Sequence, residues 1–108
     1  MTLPGGVFTS LTDLARLDLF NNQLTTLPAG IFADVTSLTW LSLKNNRLAT
    51  LPAGVFTSLT ELQELYLVGN RLTTLPYGVF MSLTELERLD VRGNPDLQCH
   101  PALPPNTR

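Results

Sequence analysis

The chain has 108 residues, of which 44% are hydrophobic and 15% are charged, and this composition excludes an intrinsically disordered chain. Seven Lys and Arg against nine Asp and Glu give a net charge of −2, which argues against a nucleic-acid partner. The sequence holds no apolar run near the ~20 residues of a membrane-spanning helix, and its N-terminus lacks a basic and apolar signal segment.

The sequence repeats itself every 24 residues. Leucine, proline, phenylalanine and asparagine all keep this step; the phenylalanines are Phe8, Phe32, Phe56 and Phe80, and the asparagines are Asn22, Asn46, Asn70 and Asn94. Leucine-rich repetition at a period of 20–29 residues predicts a solenoid. We expect one domain over residues 1–108, with a partial unit at 1–13, full units at 14–37, 38–61 and 62–85, and a divergent last unit at 86–108.

Each unit opens with a Leu-x-Leu pattern, which predicts a short strand with its leucines buried and the intervening residue exposed. We expect parallel strands near 15–20, 39–44, 63–68 and 87–92, stacked one coil apart at ~4.8 Å. The asparagine after each strand is inward and polar, so it needs buried partners, and a stacked column of asparagines is predicted to form a ladder along the turning backbone.

The second half of each unit is predicted to form the convex return of the solenoid. Its Leu-x-x-Leu-Pro segment is extended or a loose turn, because proline fixes φ and lacks an N–H. The phenylalanine of each unit is predicted to stack on that of the next, forming a spine beneath the convex side. The short segment after it has room for no more than a single turn of 3₁₀ helix.

The motif LxxLxLxxNxLxxLPxGxFxxLxx is nearly unbroken from Leu14 to Glu85 and resembles the leucine-rich repeat family, in its typical 24-residue class. The amino-acid sequence of the repeat units is most similar to that of the variable lymphocyte receptors of jawless vertebrates, and Toll-like receptors are nearly as similar. The resemblance implies a right-handed, curved α/β solenoid, an extracellular or cell-surface parent protein and recognition of an antigen or ligand. Extracellular members usually carry cysteine-rich caps, which this chain lacks, although Gly93 to Cys99 resembles the start of one.

The positions that face outward from the predicted sheet vary from unit to unit, whereas the framework positions do not. They carry aromatic and charged residues, a composition typical of protein contact surfaces. The candidate partner-binding residues form three columns: Arg16, Trp40, Glu64 and Arg88; Asp18, Ser42, Tyr66 and Asp90; and Phe20, Lys44, Val68 and Arg92. Trp40, Tyr66 and Phe20 are the candidate anchors.

A merely solvated face is the structural alternative. In that interpretation Arg16 packs on Trp40 as a cation–π pair, and Glu64 and Arg88 form a surface ion pair of ~0–1 kcal/mol. Four strands at ~4.8 Å with five residues each at ~3.3 Å expose on the order of 300 Å², whereas a standard interface needs ~800 Å² per partner. We therefore expect this face alone to bind weakly.

Cys99 and His100 are adjacent, which makes them a candidate Cys–His nucleophile pair. However, Cys99 occupies the position of Leu75 one unit earlier, so a buried thiol is favoured over catalysis, an intermolecular disulfide or a metal ligand. Asp18 and Asp90 lie three coils apart, roughly 14 Å, too far for a glycosidase carboxylate pair. We predict a non-enzymatic chain with no cofactor and no metal.

The function predicted from the sequence is recognition of a protein or glycan through the concave sheet. The alternative is a consensus or engineered repeat scaffold, or a structural element that self-associates through uncapped solenoid ends, because the units are nearly identical.

Overall fold

The protein's structure, a computed structural model, describes residues 3–76 and 78–97. Four strands, β1 (Arg16–Asp18), β2 (Trp40–Ser42), β3 (Glu64–Tyr66) and β4 (Arg88–Asp90), form one sheet in the order β1-β2-β3-β4. All neighbours are parallel, and each residue pairs with the residue 24 positions later. The predicted solenoid with a four-stranded parallel sheet on its concave face is therefore confirmed.

The leucines of each coil bury one side of the sheet. Leu41 and Leu65, at the centres of β2 and β3, are fully buried, and they belong to a core of Leu, Val, Ile and Phe side chains that runs along the solenoid. Leu17, at the centre of β1, is only half-buried. Leu89, at the centre of the last strand, is 1% exposed, so the weaker burial is confined to the first strand.

The buried asparagines bind neighbouring coils to one another. The Asn46 amide oxygen accepts the backbone N–H groups of Asn22 and Leu24, both at 3.0 Å, and its amide nitrogen donates to the carbonyls of Leu19 and Leu43. The Asn70 and Asn94 amide nitrogens likewise donate to carbonyls of two coils, and their amide oxygens accept the N–H groups of Leu48 and Leu72. Each polar side chain is satisfied by the backbone that it crosses, so its burial is compatible with folding.

Asn22 departs from the other asparagines because it is exposed. Its amide nitrogen donates only within its own coil, to the carbonyls of Leu19 and Phe20 at 2.8 and 3.1 Å. A ladder asparagine is buried by the preceding coil's turn, and within the described residues no such turn lies over Asn22.

The strands are three residues long, shorter than the six predicted, and the asparagine ladder explains why. In a longer ladder the carbonyl of Leu19 would accept the N–H of Lys44, but it accepts the amide of Asn46 at 2.9 Å instead. The Lys44 N–H turns to the Ser42 hydroxyl at 3.4 Å. The strand pairing becomes one-sided there, because the N–H groups of Leu19 and Asn21 still donate to the carbonyls of Ser42 and Lys44 at 2.9 and 3.0 Å.

The convex side is a chain of turns, and no helix forms within residues 3–76 and 78–97. The N–H groups of Ile31, Ala33 and Val35 donate to carbonyls three residues earlier, at alternate positions. Beneath these turns the four phenylalanines stack with ring centroids 6.1–6.2 Å apart and interplanar angles of 8–15°. The stacked phenylalanine rings therefore form the hydrophobic core beneath the convex turns.

Candidate functional site

The sheet places the predicted outward columns on the side opposite the leucine core. Arg16, Trp40, Glu64 and Arg88 share one cross-strand register row, and Asp18, Ser42, Tyr66 and Asp90 share the next. Phe20 is 50% exposed, an unusual exposure for a large aromatic side chain on a folded surface. The columns were predictable because residues two apart on a strand share a face and residues 24 apart share a row.

Trp40 and Tyr66 meet at the centre of this face. Their rings contact diagonally between β2 and β3, with centroids 5.6 Å apart and an interplanar angle of 47°. Both side chains are half-buried, so part of each remains open to solvent. An aromatic pair of this kind is a rigid contact surface that loses little conformational entropy on binding.

Cations cover the two rings. The Arg16 guanidinium lies 3.7 Å from the centroid of Trp40, and the Lys44 ammonium lies 5.1 Å from that of Tyr66. The Arg88 guanidinium lies 6.0 Å from the Tyr66 centroid. The predicted Arg16–Trp40 cation–π pair is present, and similar contacts surround Tyr66.

The carboxylates on this face have partners other than those predicted. The Tyr66 hydroxyl donates to the Glu64 carboxylate, and Asp90 holds Arg92 through the guanidinium nitrogens Nε and Nη2 at 2.9 and 2.6 Å. Among the described residues the Asp90–Arg92 pair is the only salt bridge, so the Glu64–Arg88 ion pair of the solvated-face alternative does not form. The Glu64 carboxylate instead accepts the Tyr66 hydroxyl, and the Arg88 guanidinium lies near the Tyr66 ring.

These contacts shift the ionisation of Asp90 and Tyr66, and the hydrogen bond to Asp90 also raises the pKa of the Arg92 guanidinium. The hydrogen bond from Arg92 is the largest influence holding the pKa of the Asp90 carboxyl below its usual value, since it stabilises the carboxylate. Burial, followed by the hydrogen bond to Glu64, raises the pKa of the Tyr66 hydroxyl. At neutral pH Asp90 is therefore an ionised, paired acceptor, and Tyr66 is a neutral donor.

Two candidate binding residues are not exposed as predicted. Ser42 is 1% exposed and Asp90 is 2% exposed. Ser42 is a short side chain paired in register with the large Tyr66, and its hydroxyl lies within 3.4 Å of the Lys44 N–H. Asp90 is covered by the Arg92 side chain that it binds and also accepts the Arg92 N–H at 3.2 Å.

A cleft of about 430 Å³ opens beside Trp40 and is called the aromatic cleft here. Arg16, which lies over Trp40, is one of two cations in its lining, and the lining residues are Arg16, Asp18, Phe20, Trp40, Ser42, Lys44 and Asn45. The cleft lies within the size range of small-molecule and side-chain pockets. Of the remaining candidates, Val68 is half-buried, and Arg92 is two-thirds exposed although it is bound to Asp90.

Sequence reasoning missed Asn45, which lines the aromatic cleft although it was not a candidate. It has a positive φ of 56°, and an asparagine before the ladder asparagine is the signal for such a turn. In the part of the chain that the structure describes, no group of three or more His, Cys, Asp or Glu is placed to hold a metal. Cys99 and His100 lie outside the described residues.

Two overlapping segments, residues 2–48 and 36–95, match the leucine rich repeat family. A chain of the Toll–Spatzle complex of Drosophila superposes with a TM-score of 0.77 and 30% identity, over 86% of this chain and 12% of that one. A leucine-rich repeat protein of Leptospira interrogans superposes with a TM-score of 0.75 and 43% identity, over 86% of this chain and 23% of that one.

The search of curated proteins finds no match. The chain spans less than a quarter of the length of either similar structure. Among the described residues, no helix has the length and apolar character required to cross a membrane.

Proposed function

We propose that this chain, which belongs to the leucine-rich repeat family, is a non-enzymatic recognition module that binds a protein through its concave sheet. Leucine-rich repeat domains generally mediate protein–protein recognition, and proteins of the family are typically non-enzymatic. The single observation that carries the proposal is the central Trp40–Tyr66 pair, partly open to solvent beside the aromatic cleft. Aromatic and arginine side chains at the centre of a contact surface supply most of its binding energy.

The cation contacts on Trp40 and Tyr66 indicate which side chains contribute to binding. Arg16, Lys44 and Arg88 are held against Trp40 and Tyr66, so their positions are set before a partner arrives. Pre-ordered side chains reduce the entropy lost on binding. We assign Trp40, Tyr66 and Phe20 as anchors and these three cations as orienting groups, while Ser42 and Asp90 support the turns beneath them.

We also propose a receptor-type role and a location for the parent protein. The similarity to Toll of Drosophila, in a structure that contains Spatzle, supports a receptor-type module and an extracellular or cell-surface location. We also propose a closer relation to variable lymphocyte receptors, from the similarity of the repeat units, and a glycan as the alternative ligand of the concave face. A single-domain organisation over residues 1–108 agrees with the continuous core of the described coils.

A selection experiment tests the concave face without a known ligand. A phage-displayed library of random peptides is selected on the immobilised protein, and each clone is then tested on Trp40→Ala/Tyr66→Ala. Most clones are expected to lose at least tenfold in affinity, because the variant lacks the central anchors. Met81→Ala is the matched control, since Met81 is 74% exposed outside the sheet.

The affinities of the selected clones for the double variant can also contradict the proposal. Clones that bind the double variant as tightly as the unmodified protein would place recognition elsewhere and overturn the proposal. Circular dichroism and urea unfolding of each variant establish that the half-buried rings were removed without loss of the fold.

Self-association through the solenoid ends is the second candidate function. Leu14, Leu17 and Leu19 are only half-buried, whereas their equivalents one coil later are fully buried. Val7 and Leu11 are 45% and 42% exposed, so the first coils present apolar surface. Light scattering over a concentration series tests this: association that Trp40→Ala/Tyr66→Ala leaves unchanged would identify the ends as the contact.

A further inference from the structure

A second surface lies at the edge of the sheet, on the turns that follow the strands. It is a groove of about 420 Å³, called the edge groove here, and its lining residues are Asn21, Gln23, Asn45, Asn46, Arg47, Gly69, Asn70 and Arg71. Its lining contains amide and guanidinium groups but no carboxylate and no aromatic ring. Neither the family match nor the sequence analysis assigns a role to it.

The turn geometry shapes this groove. Asn21, Gln23 and Asn45 have φ values of 56–61°, and Gly69 has a φ of 72°. The Asn45 amide lies so close to Gly69 that a β-carbon there would be 2.3 Å from Asn45 Oδ1. The left-handed turns therefore bring the amides of successive coils together along the sheet edge.

Arg47 and Arg71 occupy equivalent positions in successive coils. The Arg47 N–H donates to the Leu24 carbonyl at 2.7 Å, and the Arg71 N–H donates to the Leu48 carbonyl at 2.9 Å. These bonds hold the two backbones one coil apart, at about 4.8 Å. The groove thus carries two cations on a rigid backbone, both with exposed side chains.

These two arginines differ from the other basic residues that the structure describes. Arg16, Lys44 and Arg88 lie on aromatic rings, and Arg92 binds Asp90. Within residues 3–76 and 78–97, Arg47 and Arg71 have neither a carboxylate nor an aromatic partner. In a chain of net charge −2, the two unpaired cations share one groove with no acid in its lining.

We propose that the edge groove binds an acidic peptide segment of a partner protein. Guanidinium groups bind carboxylates with two parallel hydrogen bonds, and the long, exposed side chains of Arg47 and Arg71 can each reach one carboxylate of an extended acidic segment. The amides of Asn21, Gln23 and Asn45 each offer a donor and an acceptor to the peptide backbone. A saccharide is less well matched, since this groove has no aromatic ring on which a sugar stacks.

The groove is continuous with the concave face. Asn45 lines both the edge groove and the aromatic cleft, so one partner can occupy the two surfaces together. The concave face alone offers on the order of 300 Å² against the ~800 Å² of a standard interface, and the groove enlarges the contact area. Binding of an acidic peptide in the groove does not require the proposed function of the sheet.

The experiment is an NMR titration of the full chain with a capped hexaglutamate peptide, with capped hexaglutamine as the uncharged control. The amide signals of residues 21–23, 45–47 and 69–71 are expected to shift with hexaglutamate and to remain unchanged with hexaglutamine. Arg47→Gln/Arg71→Gln is expected to weaken binding at least tenfold. Arg16→Gln/Arg88→Gln removes the same charge from the concave face and is expected to change affinity by less than twofold.

Three outcomes overturn the proposal. Equal weakening in the two arginine pairs would mean general attraction to a cationic protein surface. Shifts confined to other residues would place the peptide elsewhere. Tighter binding of a sulfated hexasaccharide than of hexaglutamate at the same residues would assign the groove to a glycan. Trp40→Ala/Tyr66→Ala is expected to keep the affinity for hexaglutamate, which separates this test from that of the concave face.

Discussion

Two columns of polar side chains run along this solenoid, one inside it and one on its concave face, and they obey different rules. The inner column is asparagine in every coil, and Asn46, Asn70 and Asn94 bond to backbone groups 22 and 27 residues away. The outer column reads Asp18, Ser42, Tyr66 and Asp90. Asp18, Ser42 and Asp90 each accept the N–H two residues later, and Asp90 also binds the Arg92 guanidinium.

The difference shows why one column repeats and the other varies. A bond between coils needs a donor and an acceptor on one short side chain in every coil, which the asparagine amide provides. A bond within one turn needs only an acceptor, so Asp and Ser both serve. At Tyr66 this local acceptor is absent, and the position carries a ring instead. Variation in the outer column is therefore tolerated, because the backbone hydrogen bonds of its residues lie within their own coil.

The phenylalanine spine allows the strongest test of this contrast. Phe56 is fully buried between Phe32 and Phe80, and Phe56→Ala is expected to lower the free energy of unfolding by about 3–5 kcal/mol through lost burial and a cavity. Phe20→Ala removes the same side chain from the concave face and is expected to cost less than about 1 kcal/mol. Urea unfolding measures both; equal costs would contradict the division between interior and face.

The asparagine ladder allows a test in which the same side chain is removed from a buried position that joins two coils and from an exposed position that does not. Asn70→Ala leaves the Leu48 N–H and the carbonyls of Leu43 and Leu67 without their amide partner, and is expected to cost about 3 kcal/mol. Asn22→Ala removes the same amide from an exposed position and is expected to cost less than about 1 kcal/mol. If thermal unfolding ranks the two variants in the reverse order, the ladder is not what joins the coils.

Substitution of Asp90 tests the outer column, where the expected loss of stability is smaller than in the phenylalanine spine or the asparagine ladder. Its folded-state pKa is depressed by Arg92, so its contribution to stability is present above the unfolded pKa of ~3.9 and is lost as the pH falls through the folded value. Asp90→Asn is expected to cost about 1 kcal/mol at pH 7, with the difference shrinking below pH 4. Urea unfolding between pH 2 and 7 measures this profile.

Asp18→Asn is the matched control for that profile. The Asp18 carboxylate accepts the Phe20 N–H at 3.2 Å, as Asp90 accepts that of Arg92, but the nearby Arg16 lies over Trp40. Its substitution is expected to change stability by less than about 0.5 kcal/mol at pH 7. A pH-independent difference for Asp90→Asn would show that the Arg92 pair does not stabilise the fold.

The sequence by itself determined the solenoid, the cross-strand rows and the face of Trp40 and Tyr66, because the 24-residue step sets the register and the Leu-x-Leu alternation assigns the faces. Only the tertiary structure decided the burial of Ser42 and Asp90, the Asp90–Arg92 pair and the place of Arg47 and Arg71 in one groove. These properties depend on side-chain directions across neighbouring coils, where an aromatic ring and a carboxylate compete for the same cation. A repeat pattern records which residues are neighbours, but the geometry of the packed coils selects which of them pair.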